Sequence, residues 1–107
     1  MKQWDIFTWT FPEGKHPAVI VSHPERVSNK PVINVLLCSS KRAARAAETN
    51  EIILDEADGL DWPTLCKCDL LYRVSKSELS QRRGVVIEVR RRAIVSRIIQ
   101  SFGWAGM

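Results

Sequence analysis

The feature that most limits the fold is a change of period near residue 88. Before it, apolar residues come in short runs separated by Pro, Gly and polar clusters. After it, Val89, Ala93, Val95, Ile98, Ile99 and Phe102 recur at helical spacing, with Arg90, Arg91 and Arg97 between them. That pattern predicts one amphipathic terminal helix, stopped by Gly103. The earlier runs read as strands. Ile6–Phe11 alternates large apolar residues with threonines, and Ala18–Val21 is a short apolar run. Val32–Leu37 runs into Cys38-Ser39-Ser40, and Glu51–Leu54 follows. Leu65–Asp69, continuing toward Val74, and Arg83–Ile87 complete the set. Pro12–Pro17, His23–Pro31 and Asp55–Pro63 read as loops, and the alanine-rich basic stretch 41–47 as a helical turn or a loop. Short strands closed by a single helix predict a mainly β fold: a small, strongly bent barrel with a C-terminal α-helix packed on it.

A chain of 107 residues, 45% hydrophobic, without repeats or low-complexity linkers, is expected to form one domain, 1–107. No apolar run approaches the roughly 18 residues a membrane helix needs, and no cleavable leader is evident. Three cysteines, two of them in a C-x-C, make a poor disulfide framework, so reduced thiols and a cytoplasmic location are expected. The net charge of +4 mildly favours polyanionic partners. Its distribution is uneven. Glu48, Glu51, Asp55, Glu56, Asp58 and Asp61 crowd the middle, whereas Arg82, Arg83, Arg90, Arg91, Arg92 and Arg97 load the C-terminal quarter.

The chemistry-bearing stretch is Leu65-Cys66-Lys67-Cys68-Asp69. On a strand, Leu65, Lys67 and Asp69 share one face, while Cys66 and Cys68 face the other and suit a core. A cation beside a carboxylate serves proton transfer and phosphate binding, or forms a plain ion pair. The cysteines with His16 lack the second ligand pair of a zinc site, so no metal is expected. Trp9, alternating with Phe7 and Phe11, reads as core. Trp62, before Pro63, is placed for base stacking or for packing across an interface, and Trp104 for stacking back onto the barrel. His23 reads as structural or solvated.

The ordered set of segments resembles the MazF/PemK/Kid family of toxin–antitoxin ribonuclease toxins. The resemblance rests on Asp5-Ile6-Phe7, a Gly-containing loop into Pro17 followed by Ala18-Val19-Ile20-Val21-Ser22, and the Val32–Ser40 strand and turn. Leu65–Asp69 and Arg83-Gly84-Val85 entering the last helix complete it. It implies an SH3-like barrel, a homodimer, a cognate antitoxin partner and no cofactor. It also implies metal-independent cleavage of single-stranded RNA, in which the ribose 2′-hydroxyl attacks the adjacent phosphate. Family members of the PemK type carry Arg-Cys-Asp where this chain has Lys67-Cys68-Asp69. Asp69 thereby becomes the expected base, with Lys67 as acid or phosphate stabiliser. His16 occupies the position of a pre-proline Arg, and histidine is the side-chain type suited to donating a proton near neutrality. Ser39, Ser40, Lys15, Cys38 and Trp62 are the expected substrate contacts. The chain departs from the family at Cys38-Ser39, where Thr-Ser or Thr-Ala is usual. It departs again at Leu70 and Tyr72-Arg73-Val74-Ser75.

Two other functions fit the same fold. Gyrase-poisoning toxins of the CcdB type use a Trp-Gly-Ile tail, loosely echoed by Phe102-Gly103-Trp104. A non-catalytic SH3-like module binding RNA or protein would tolerate the substitutions at His16, Lys67 and Cys38. The arginines of the last helix read as phosphate contacts, as a solvated face, or as a docking surface for an acidic antitoxin.

Overall fold

A computed structural model describes residues 1–11, 14–40 and 46–107. The elements run β1 (Asp5–Phe11), β2 (Gly14–Ile20), α1 (Pro24–Asn29), β3 (Val32–Ser40), β4 (Glu51–Leu54), β5 (Thr64–Ser75), β6 (Leu79–Val85) and α2 (Glu88–Ser101). Short helical turns lie at Glu56–Asp58 and Lys76–Glu78. The strands form one curled antiparallel sheet in the order β4-β5-β3-β2-β1-β6. A mainly β half-barrel with a C-terminal helix is thus present. No described helix is long and apolar enough to cross a membrane. Most of the 41–47 stretch lies outside the described residues.

Both faces of the sheet are covered, which is why the central strands read as continuous apolar runs. Ile6, Val19, Leu36, Cys38, Leu54, Cys66 and Cys68 pack on one face with Val86 and Ile94. Trp9, Ala18, Ile20, Ile33, Val35, Val74 and Leu79 pack on the other with Val27 of α1. Trp9 is therefore core, as its alternation implies. The segment 23–31, expected as a loop, contains α1. His23 caps it, its Nδ1 accepting the Glu25 N–H at 3.1 Å, and Pro24 takes the first helical position, where a missing N–H costs nothing.

Two irregularities shape the sheet. Along β6, Phe7 pairs with Arg82, flanked by Ile6↔Gly84 and Thr8↔Ser80, so Arg83 and Gln81 are extra residues. Gln81 sits at φ 50°, the left-handed conformation a bulge residue adopts. The expected strand 83–87 is therefore shifted to Leu79–Val85, because its bulged, polar sequence hides the pairing. Along β5, Cys38↔Cys66 and Leu36↔Leu71 leave the four residues Lys67–Leu70 against the single Leu37. That insertion is odd in number, so it turns the strand over. Even-numbered Cys66 and Cys68 face one core, and even-numbered Val74 faces the other.

The open edges approach through a turn rather than a ladder. A Cβ on Gly84 of β6 would stand 2.0 Å from the Asp58 carbonyl oxygen, so only glycine permits this contact. The buried Asp58 carboxylate accepts the N–H of Ile87 at 2.9 Å and of Asp55 at 3.0 Å, and it pairs with Arg90. Arg90 also binds Asp55 at 2.8 Å, and this hydrogen bond holds the Asp55 carboxyl below its usual range, helped by the Ala57 N–H.

This staple sets the rotation of α2. Ile94 is buried, with Ile98 beside it, whereas Val89, Val95, Ile99 and Phe102 of the expected apolar face stay exposed. The helix carries two apolar stripes, and only the one in line with Arg90 meets the sheet.

Candidate functional site

Strand β5 carries the site residues expected from sequence. Alternation from the buried Cys66 and Cys68 sends Leu65, Lys67 and Asp69 from the opposite face. Leu65 is buried, Lys67 is half-buried and Asp69 is exposed. Lys67 and Asp69 do not form the simple pair that their spacing permits. The Lys67 ammonium instead binds the carboxylate of Glu51, its cross-strand partner on β4. Among the described residues the Asp69 carboxylate makes no hydrogen bond or ion pair. It lies in the insertion where β5 leaves β3, and bulges of this kind re-aim side chains next to binding and active sites.

His16 stands on a strand, not in the expected loop. Pro17 lacks an N–H, and the β2–β3 ladder ends at Ala18↔Leu37. The Cys38 carbonyl beyond that point accepts instead from His16 Nδ1, at 3.3 Å. A carbonyl only accepts, so this bond places a proton on Nδ1. His16 lies two residues from Ala18, Ser39 follows the inward-facing Cys38, and Lys67 follows Cys66. All three therefore leave from one face of the sheet. Strand β3 separates β2 from β5 by two strand spacings, roughly 10 Å, and the registers set Lys67 level with Ala18, two residues along β2 from His16.

The expected substrate contacts divide. Ser39 is half-buried on the His16 face, and Lys15 is exposed near the start of β2. Ser40 is tied to the Trp62 indole, whose N–H donates to Ser40 Oγ at 3.1 Å. Trp62 is 44% exposed, and the Arg83 guanidinium carbon lies 6.0 Å from its ring centre. The bulge at Arg83 makes this contact, which the sequence did not reveal. The Cys38 expectation needs correction: its thiol is fully buried, so that side chain has no route to a substrate, and its carbonyl is the group at the site. Hydrogen bonding to Cys38, then burial, pushes the Cys66 thiol well above its ordinary range. The Cys66 contact and burial do the same to Cys68. These are core thiols, inert as nucleophiles. Among the described residues no three His, Cys, Asp or Glu side chains are placed to hold a metal.

Three of the four helix arginines are committed to the fold. Arg90 joins the Asp58 staple, Arg91 Nε donates to Val86 O at 2.7 Å, and Arg97 donates to Thr49 O. Arg92 pairs with Glu88 at 3.5 Å on the exposed surface. Trp104 does not return to the barrel. It stacks on Phe102 at 4.8 Å, and both rings are exposed.

The exposed Asp69, the Glu51-paired Lys67 and the strand-anchored His16 thus sit on a curled half-barrel closed by one helix, the architecture of a small β protein. The sequence model of the "PemK-like, MazF-like toxin of type II toxin-antitoxin system" family matches residues 2–102, and the chain belongs to that family. Solved structures agree on the fold. The MazF-mt6 toxin of Mycobacterium tuberculosis superposes with a TM-score of 0.80 at 16% identity, over 92% of this chain and 96% of that one. An endoribonuclease in complex with its cognate antitoxin from a mycobacterial species gives 0.82 at 16% identity, over 96% and 95%. A MazE–MazF complex from Deinococcus radiodurans gives 0.78 at 12% identity, over 98% and 97%. No curated protein sequence matches the chain at a significant level.

Proposed function

We propose that this toxin is an endoribonuclease that cuts single-stranded RNA without a metal, and that the single domain 1–107 carries the whole site. Asp69 accepts the proton of a ribose 2′-hydroxyl. The freed oxygen bonds to the adjacent phosphorus, the bond from phosphorus to the 5′-oxygen breaks, and His16 supplies the proton that the leaving oxygen needs. The products are a 2′,3′-cyclic phosphate and a 5′-hydroxyl. Lys67 stabilises the charge that builds on the phosphorane oxygens. The observation that carries this reading is the separation of roles across β3. The carboxylate belongs to the β5 insertion and the imidazole to β2, with β3 between them. In-line displacement needs its base and acid on opposite sides of the phosphorus. Ser39, on the His16 face, is a phosphate contact, whereas Lys15 leaves β2 from the other face; the exposed Trp62 ring offers a base a stacking surface.

The structural neighbour solved with its cognate antitoxin extends the reading to a partner, an antitoxin that restrains this chain, and the family resemblance adds a homodimer. The test is cleavage of a long single-stranded RNA by wild type, Asp69→Ala and His16→Ala in EDTA. Removing the base is expected to lower the rate at least about 100-fold, and removing the acid by a similar factor. Equal rates in wild type and Asp69→Ala would remove Asp69 from the mechanism.

A further inference from the structure

One buried charge beside the site has no part in that reading. Glu51 opens β4 with only 2% of its surface exposed, and its carboxylate binds the Lys67 ammonium. Oε1 of the same carboxylate accepts the Glu48 N–H at 2.9 Å, and the Glu51 N–H returns to the Glu48 carbonyl at 3.0 Å. The acid is therefore held by its own turn as well as by its cross-strand partner. A carboxylate removed from water is costly unless it is paired, and an apolar residue would fill the start of a strand more cheaply.

What the arrangement achieves shows on the lysine. A lysine is a point charge on a flexible four-carbon stem and lacks the rigid fork of arginine. The ammonium has three donors, and the Lys67 side chain remains 24% exposed. One donor goes to Glu51, and others remain for a ligand. We propose that Glu51 is a positioning residue. Its buried carboxylate fixes the Lys67 ammonium on the face shared by His16 and Ser39, so that a phosphate meets a stationary cation. The inference rests on the ribonuclease reading. Electrostatics offers the opposite outcome, since a carboxylate behind the ammonium also weakens its pull on an anion. Positioning wins only if the cation's place matters more than its net field.

The experiment measures kcat and KM on a single-stranded RNA in EDTA, per folded protein, with folding followed by circular dichroism. Glu51→Gln keeps the acceptor for the Glu48 N–H and removes the charge. The expected result is a fall in kcat of about tenfold or more with KM within about twofold, and an effect that vanishes when Lys67→Gln is already present. Glu51→Asp, which keeps the charge but withdraws it by one methylene, is expected to lose less. It carries the comparison if Glu51→Gln does not fold. A purely structural role predicts that the double variant, a neutral hydrogen-bonding pair of the same size, recovers the wild-type kcat, and that result overturns the proposal. An unchanged or increased kcat in folded Glu51→Gln overturns it too. A wild-type protein that does not cut RNA overturns the ribonuclease reading itself, a failure visible before any variant is made.

Discussion

Gly84→Ala tests the closure of the half-barrel. The new Cβ would stand 2.0 Å from the Asp58 oxygen and 3.0 Å from its carbonyl carbon, with Gly59 Cα at 3.2 Å. All three are backbone atoms, so no side chain can rotate away. The turn must retreat by about 1.4 Å to restore ordinary contact. Overpacking of this kind costs about 1–3 kcal/mol. The retreating residue also carries the carboxylate that holds Arg90 and the Ile87 N–H, and loosening a buried charge from its partners adds to the cost. A loss of roughly 3 kcal/mol or more is expected, against a typical total of about 5–15 kcal/mol. Stiffening the unfolded chain returns at most about 1 kcal/mol. Urea and thermal unfolding, followed by far-ultraviolet circular dichroism, should show Tm falling by at least about 12 °C. Gly103→Ala, at φ 70° with open space around it, should cost only the left-handed strain of about 1–2 kcal/mol. A Gly84→Ala protein within about 1 kcal/mol of wild type would refute the argument for closure through the Asp58 turn.

Three further outcomes follow from the buried thiols and from the Asp55–Arg90 pair. The thiols of Cys66 and Cys68 are raised above the ordinary 9.0, so they stabilise the fold fully below that pH, and the contribution is lost as pH rises above it. Stability is therefore expected to fall as pH rises above 9.0, and Cys66→Ala should flatten the alkaline slope of unfolding free energy against pH. Asp55 runs the other way. Its lowered pKa stabilises the fold above the ordinary 3.8 and is lost as pH falls below it, so Asp55→Asn should reduce the acid dependence of stability. All three cysteines should resist alkylation in the native protein and react together on unfolding, whereas a fast-reacting single thiol would contradict their burial.

The central strands and the terminal helix were legible because burial on both faces writes continuous apolar runs, and helical packing writes its own period. β6 was misplaced because Gln81 and Arg83 interrupt its alternation as bulges. Gly14 and Pro17 bracket His16 and give it the sequence signature of a loop residue. Gly14 at φ 132° opens the strand, and Pro17 ends only the ladder toward β3. The Lys67–Asp69 spacing was visible and its local geometry was not. Which carboxylate Lys67 takes depends on the β4–β5 register, a contact across 16 residues of chain that no local pattern encodes. The arginines of α2 read as a charged surface because composition does not tell a solvated guanidinium from one bound to Asp58 or to a carbonyl.

The central claim is that this chain cuts RNA through the ribose 2′-hydroxyl. End-group analysis of a long single-stranded RNA incubated with the full-length protein in EDTA tests it most directly. Fragments ending in a 2′,3′-cyclic phosphate and beginning with a 5′-hydroxyl are expected, with no cutting when the 2′-hydroxyls are methylated. Fragments carrying 5′-phosphates, or cleavage that ignores 2′-O-methylation, would contradict it.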